Sequence, residues 1–255
     1  QEGPSLSADL SRLLDEWPYE PGQINVRLIE GDDGEPRLQL RIDMGIMQMH
    51  TEGRPDGQRP YGMESLLEYY ESLLDEHVAE HGSAAGFVLS EEACRELREE
   101  AVQYYHRYVC LMVLEDYEGV VRDTSRNLRV LDLCAKYAET EADRQVLEQF
   151  RPYITMMRAR AMASQALADN EPKAAIHAID QGIEALKQHF AEQGRLDAFE
   201  KSAEVEMLRG MREALVPKLP VSQKGELRQR LQRAIAEENY ELAAILRDEL
   251  KALGD

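Results

Sequence analysis

The sequence predicts a mainly α-helical protein with a small antiparallel β-hairpin or meander near its N-terminus. This is an α+β chain, an irregular helical array followed by a C-terminal helical hairpin. Three observations carry the prediction. Apolar residues alternate at period two only between Ile24 and Met44, and from Met63 onward they recur at helical spacing. A stretch containing Pro217, Pro220, Ser222 and Gly225 separates the last helical segment from the rest. The expected organisation is an N-terminal helical arm at 1–22, the hairpin or meander with its loop at 23–62, and the helical array at 63–215. A linker at 216–225 then leads to a hairpin at 226–255.

The opening segment SLSADLSRLLDEW places Leu6, Leu10, Leu13, Leu14 and Trp17 on one side of a short helix, which Pro18, Pro21 and Gly22 stop. In INVRLIE, Ile24, Val26 and Leu28 alternate with polar residues, Asp32-Asp33-Gly34 supplies a turn, and Leu38, Leu40, Ile42 and Met44 resume the alternation. Gly45 breaks the parity, so that Met47 and Met49 fall on the opposite one; a bulge or a tight turn into a third strand produces this flip. The stretch GRPDGQRPYG, residues 53–62, reads as loop, and its Arg54 and Arg59 are candidates to clamp an anion, against the commoner fate of solvated loop arginines.

Six helical segments follow. The first carries Leu66, Leu67, Tyr70, Leu73, Leu74 and Val78 on one stripe and ends at Gly82. Ser90, followed by Glu91 and Glu92, opens the second. Others are expected at 117–137, 141–168 with a kink or break at Pro152, 172–193 and 197–214. Tyr117 is followed at three, four and eleven positions by Val120, Val121 and Leu128; Pro172 is followed at the same offsets by Ala175, Ile176 and Ile183, with small Gly182 between. That spacing resembles the second half of a tetratricopeptide repeat, in which small residues let paired helices approach closely. The preceding halves and the aromatic signature of that repeat are not present.

The balance of 30 Lys+Arg against 49 Asp+Glu gives a net charge of −19, a field that repels phosphate backbones and disfavours direct nucleic-acid binding. Between Met63 and Cys110 the acids reach eleven, against three arginines and no lysine. No apolar run approaches the roughly 20 residues of a membrane helix, and the first residues have neither the basic nor the apolar region of a signal peptide. Cys94, Cys110 and Cys134 have no paired spacing and are expected as small buried hydrophobes. A reducing cytoplasm is the expected setting.

The sharpest catalytic candidate is HVAEH, residues 77–81. It fits the H-x-x-E-H pattern, in which His77 and His81, one turn and about 6 Å apart, ligate zinc while Glu80 activates water. Against a zinc hydrolase stand the helix stop at Gly82 and the small Ala79 at the third position. His50, His106, His177 and His189 share no close spacing, and no nucleophile elbow or phosphate-binding loop appears. Tyr69, Tyr70, Tyr104, Tyr105 and Tyr108 read as packing rather than a ligand groove. No cofactor is implied, and a non-enzyme is expected.

The ending is more informative. Leu227, Leu231, Ala234 and Ile235 form one stripe; Asn239 can cap a second helix in which Ala243, Leu246, Leu250 and Leu253 recur at three and four. Helices of about 12 to 14 residues are marginal alone, and two of them bury little. This pair must pack on the body, on a second copy or on a partner. Residues 224–255 carry six basic and seven acidic side chains, nearly neutral on an acidic chain.

Ala234 and Glu238, then Tyr240-Glu241-Leu242-Ala243-Ala244-Ile245-Leu246-Arg247-Asp248-Glu249-Leu250-Lys251-Ala252-Leu253, resemble the UVR motif, the hairpin that joins the excision-repair proteins UvrB and UvrC, with Tyr240 where Phe is usual. The resemblance implies a docking role. The motif also occurs in McsA-like regulators of protein-arginine kinases, whose CxxC pairs this chain lacks, as it lacks the helicase and nuclease motifs of UvrB and UvrC. The partner it implies is another protein with a UVR-type hairpin, or a second copy of this chain. The expected partner-binding residues are Leu227, Leu231, Ile235, Tyr240, Ala243, Leu246, Arg247 and Leu250, with Arg247 at the edge of the seam.

Overall fold

A computed structural model describes residues 9–215, 223–236 and 246–247. They are mostly helical, with a small three-stranded antiparallel sheet near the N-terminus. The chain divides into two compact units, Gln1–Arg212 and Glu213–Asp255.

The sheet is a meander in the order β1-β2-β3, with β1 Asn25–Glu30, β2 Pro36–Ile42 and β3 Gly45–His50. Of the two readings of the parity flip, the tight turn is the one observed. Ile42 pairs with Gly45, so two residues reverse the chain and Met47 and Met49 fall opposite Leu40 and Leu38. Leu38 and Met49 are buried beneath this face, whereas Leu28 on the open edge and Met44 in the turn are exposed. The other face, polar by sequence, is buried too. Arg37, Gln39 and Arg41 lie inside. The segment after α1 (Ser11–Glu16) covers part of it, because the Trp17 carbonyl accepts from Arg41 Nε at 2.6 Å and the Trp17 ring lies 4.2 Å beneath the Arg27 guanidinium. The helix α1 is shorter than expected and buries none of its residues; residues 5–8 lie outside the described ones.

The helices α2 (Leu66–His81) and α3 (Glu91–Val113) start on Ser65 and Ser90, whose hydroxyls accept from the backbone N–H three residues on. Gly82 closes α2 at a φ of 73°, a left-handed cap open to glycine at little cost. The α2 stripe is deep only at its start: Leu66 and Leu67 are buried while Val78 is exposed. A three-residue turn leads from α3 to α4 (Tyr117–Tyr137), so the two pack antiparallel. Their apolar sides enclose a core with Leu97, Cys94, Val130, Leu131 and Cys134. All three cysteines are free and buried, as small hydrophobes.

The expected 141–168 helix is two helices, α5 (Glu141–Gln145) and α6 (Arg151–Ala168), with Pro152 in the first turn of α6, where its missing N–H costs nothing. The break thus precedes the proline. A three-residue turn joins α6 to α7 (Pro172–Glu192), and the pair meets at Gly182, where an added Cβ would lie 2.5 Å from the Ala159 Cβ. The 197–214 segment is also divided, into α8 (Leu196–Phe199) and α9 (Ala203–Leu215), with the Ser202 hydroxyl accepting from Val205 N–H between them. Periodicity runs through the Ser202 break, which is why the sequence reading joined 197–214 into one helix. In the second unit, α10 spans Gln223–Ala236, so Gln223, Lys224 and Gly225 are helical rather than linker.

Candidate functional site

Within the described part of the C-terminal unit, Ala234 and Leu246 are each 1% exposed and pack together, with Leu231 partly buried against them. Leu231 and Ala234 lie on one face of α10, three apart, and Leu246 reaches it from a second helical segment. Ile235, one position around the helix, is 53% exposed. Arg247 is exposed. Of the other expected docking residues, Tyr240, Ala243 and Leu250 lie outside the described residues, as does the side chain of Leu227.

His77 and His81 share a helix face but do not converge on a point. Their rings stack at 4.3 Å between centroids, His77 Nε2 lies 3.0 Å from the Ala85 carbonyl oxygen, and His81 Nδ1 lies 3.0 Å from the His77 carbonyl oxygen. Among the described residues no trio of His, Cys, Asp or Glu is placed to hold a metal ion. Both lie in the last turns of α2, and the His77 ring packs edge-on against Phe87.

Sequence reasoning missed a buried ionic cluster between α3 and α4. Arg107 donates from Nε and Nη2 to both oxygens of Asp123 at 2.7 and 2.8 Å, and from Nη1 to the carbonyls of His50 and Gly53. Both residues are essentially inaccessible to solvent. A second pair joins Arg126 to Glu100, and the same carboxylate accepts the Leu66 and Leu67 N–H groups. A buried carboxylate therefore occupies the N-terminus of α2, where the helix dipole favours negative charge. Arg54, expected as a possible anion clamp, lies 3.2 Å from Glu100 instead, while Arg59 is exposed.

The cluster ties the 51–62 loop and the start of α2 to the α3–α4 pair. Its charges are not evenly balanced. Burial, with the nearby Arg129 and Arg54 cations, pushes the Arg126 guanidinium down to about 9. Tyr104, whose ring lies 4.0 Å from the Arg126 guanidinium carbon, is pushed up to about 12 by burial. A signal was present in the sequence: Glu100 and Arg107 recur at the spacing of Leu97, Tyr104 and Leu111, so they lie on the apolar stripe of their own helix. Tyr104 and Tyr108 are core residues, as their spacing predicts, and Tyr105 is exposed.

No described helix is long and apolar enough to cross a membrane. No curated protein and no solved structure matches the chain. Its C-terminal segment, residues 222–255, matches the UVR family, the UvrB/uvrC motif.

Proposed function

We propose that this protein is a non-catalytic adaptor or regulator that docks, through its C-terminal UVR hairpin, onto another UVR-type hairpin or onto a second copy of itself. The observation that supports the reading is the family match over residues 222–255, since this motif is an interaction motif. Physical chemistry supports it as well. Among the described residues Leu231, Ala234 and Leu246 pack together, and Ile235 remains exposed beside them. Two hairpins meeting make a four-helix arrangement that covers such side chains. The setting in UvrB/UvrC-type repair or in regulation of a protein kinase is part of the same proposal, drawn from the resemblance. In it Leu227, Tyr240, Ala243 and Leu250 complete the seam, and Arg247 lies at its rim.

The test compares the full chain with a chain ending at residue 223. Mass is measured by light scattering, and capture is measured against a tagged second copy and against UvrB. Self-association or UvrB capture that disappears with residues 224–255 supports the proposal. Equal behaviour of both forms sinks it, and stoichiometric zinc in the purified protein would turn attention to His77 and His81.

A further inference from the structure

Helices α3 and α4 run antiparallel, and two backbone hydrogen bonds clamp the start of one to the end of the other. Leu89 N–H donates to the Tyr137 carbonyl at 2.8 Å, and Glu139 N–H donates to the Leu89 carbonyl at 3.0 Å. Beside this clamp lie two thiols. Cys94 is the fourth residue of α3 and Cys134 the fourth from the end of α4, forty positions apart in the chain. Both are free and buried in the core that the two helices share, and the Cys134 thiol donates a hydrogen bond to the Cys94 sulfur.

The pair is asymmetric. The hydrogen bond from Cys134 holds the Cys94 thiol below the ordinary cysteine range, against the effect of burial, and nearby Arg98 acts in the same direction. The same bond, together with burial, pushes Cys134 up. The first proton that the pair loses therefore leaves Cys94, and Cys134 keeps its own. A thiolate with a second thiol in contact is the arrangement of an attacking and a resolving cysteine. Cys110 is the internal contrast. Burial alone pushes its thiol up to about 12, and it lies sixteen residues from Cys94 along α3, about 24 Å at the helical rise. Access to the pair is short, because Arg98, partly exposed and bonded to Asp143 at 2.6 Å, lies beside both thiols. Fraying of the last turn of α4 opens that side to a small neutral oxidant.

We infer that Cys94 and Cys134 are a site of oxidative modification, where hydrogen peroxide drives a reversible disulfide across the α3–α4 pair. In the first step the Cys94 thiolate attacks one peroxide oxygen and the O–O bond breaks. Hydroxide leaves and takes up the proton that Cys94 had released, so the products are a sulfenic acid and one water. In the second step the Cys134 sulfur attacks the Cys94 sulfur, the S–O bond breaks, and the departing hydroxide takes the Cys134 proton as a second water. Two electrons pass from the sulfurs to peroxide. A dithiol reductant reverses the change by becoming a disulfide itself. The bond closes a loop of about forty residues, which restricts the unfolded chain and stabilises the helix pair. This site is separate from the UVR hairpin, and neither reading rests on the other.

The experiment exposes the full chain, reduced and then freed of reductant, to hydrogen peroxide at up to about 1 mM. Remaining thiols are blocked with iodoacetamide in denaturant, and intact mass and non-reducing peptide maps are read. The inference expects one cross-link between the peptides of Cys94 and Cys134, a blocked thiol at Cys110, and three blocked thiols again after dithiothreitol. The oxidised chain should melt about 5 °C or more above the reduced one. Cys94→Ala and Cys134→Ala should each abolish the cross-link, and Cys110→Ala should leave it intact. If an alanine variant is destabilised, the peptide map of the unaltered chain decides. Three blocked thiols after peroxide treatment overturn the inference. So do a cross-link through Cys110 or between two chains, oxidation that runs on to sulfinic acid instead, and a melting temperature that fails to rise.

Discussion

The α2–α4 region and the C-terminal hairpin are both built on amphipathic helices, but they differ in length and so in how much apolar surface each can bury alone. Thirteen buried residues share the core that α2, α3 and α4 enclose, and ionic pairs pin the neighbouring loop to it. In the hairpin, two described residues are buried together. The first region can account for its own folding, because its helices satisfy each other. The second is a pair of short helices with the same kind of amphipathic pattern; two such helices bury little alone, and a pattern of that kind is completed by association. Helical periodicity alone does not separate a core element from a docking element; the amount of apolar surface that finds a partner within the unit does. The predictions that follow test this contrast, ordered by their expected effect on the stability of the body.

The largest effect should come from the ionic cluster. Arg107→Ala leaves the Asp123 carboxylate buried without its main partner and frees the His50 and Gly53 carbonyls. The expected cost is about 3–5 kcal/mol in urea unfolding. Replacing both partners, Arg107→Met with Asp123→Leu, should recover much of that loss, since the pair itself contributes little beyond mutual compensation. A single replacement costing under about 1 kcal/mol would mean that water reaches the cluster.

Packing between α6 and α7 comes next. A valine at position 182 would drive its Cβ into Ala159 and approach Leu208 Cδ1 at about 3.1 Å, so Gly182→Val should cost about 1–3 kcal/mol. Ala159→Gly in the same chain should return part of it, a coupling that a double-mutant cycle measures directly. Additive costs would show that the two helices do not meet at this position.

These two predictions mark how legible the chain was. The meander could be read because alternation and turn residues mark its first hairpin, and the parity flip at Gly45 left two readings that the register decides. Helix positions could be read from capping residues such as Ser65, Ser90 and Gly82. The break at Ser202 was hidden, since apolar spacing continues across it and a break depends on local hydrogen bonds; the break signalled by Pro152 was legible, though it falls a few residues earlier. The ionic cluster was hidden for a different reason. Glu100 and Arg107 fall on the apolar stripe of their helix, but the loop and helix end that they and Arg126 fasten are distant in sequence, so their partners appear only once those segments are placed. The buried polar face of the sheet was not legible either, because alternation separates the two faces without saying what covers each. For the docking element, the residue pattern was recognisable, but the division between the hairpin's own packing and its free surface appears only in three dimensions.

A smaller effect is expected from pH. Burial lowers the pKa of both His106 and His189 below the ordinary 6.5, so the unfolded chain binds protons that the folded one does not. Stability from this source is complete above pH 6.5 and falls as pH drops below that value, until the folded-state groups protonate too. Unfolding midpoints compared at about pH 7.5 and about pH 5.5 should show this decline, and His106→Gln with His189→Gln should flatten it. An unchanged slope in the double variant would assign the decline to other groups.

The smallest effect on the body should come from the hairpin, and there the contrast is sharpest. Leu246→Asp places a charge in the cluster formed with Ala234 and should cost roughly 3 kcal/mol or more of association. Because Leu246 is buried within the hairpin itself, that variant also disturbs the hairpin's own packing. Ile235→Asp is the cleaner probe, since its side chain is exposed and the hairpin does not need it. It should leave the main thermal transition of the chain unchanged, within about 0.5 kcal/mol as for other surface changes. Association should weaken by about 2 kcal/mol or more, roughly thirtyfold, if Ile235 lies in the partner seam. If residues 1–215 fold as their own domain, a chain ending at residue 215 should likewise keep a cooperative transition. Loss of that transition would make the hairpin part of the core. If Ile235→Asp and Leu246→Asp both leave oligomeric mass and capture unaltered, the hairpin contributes to neither folding nor docking, and the contrast between the two regions has no functional content.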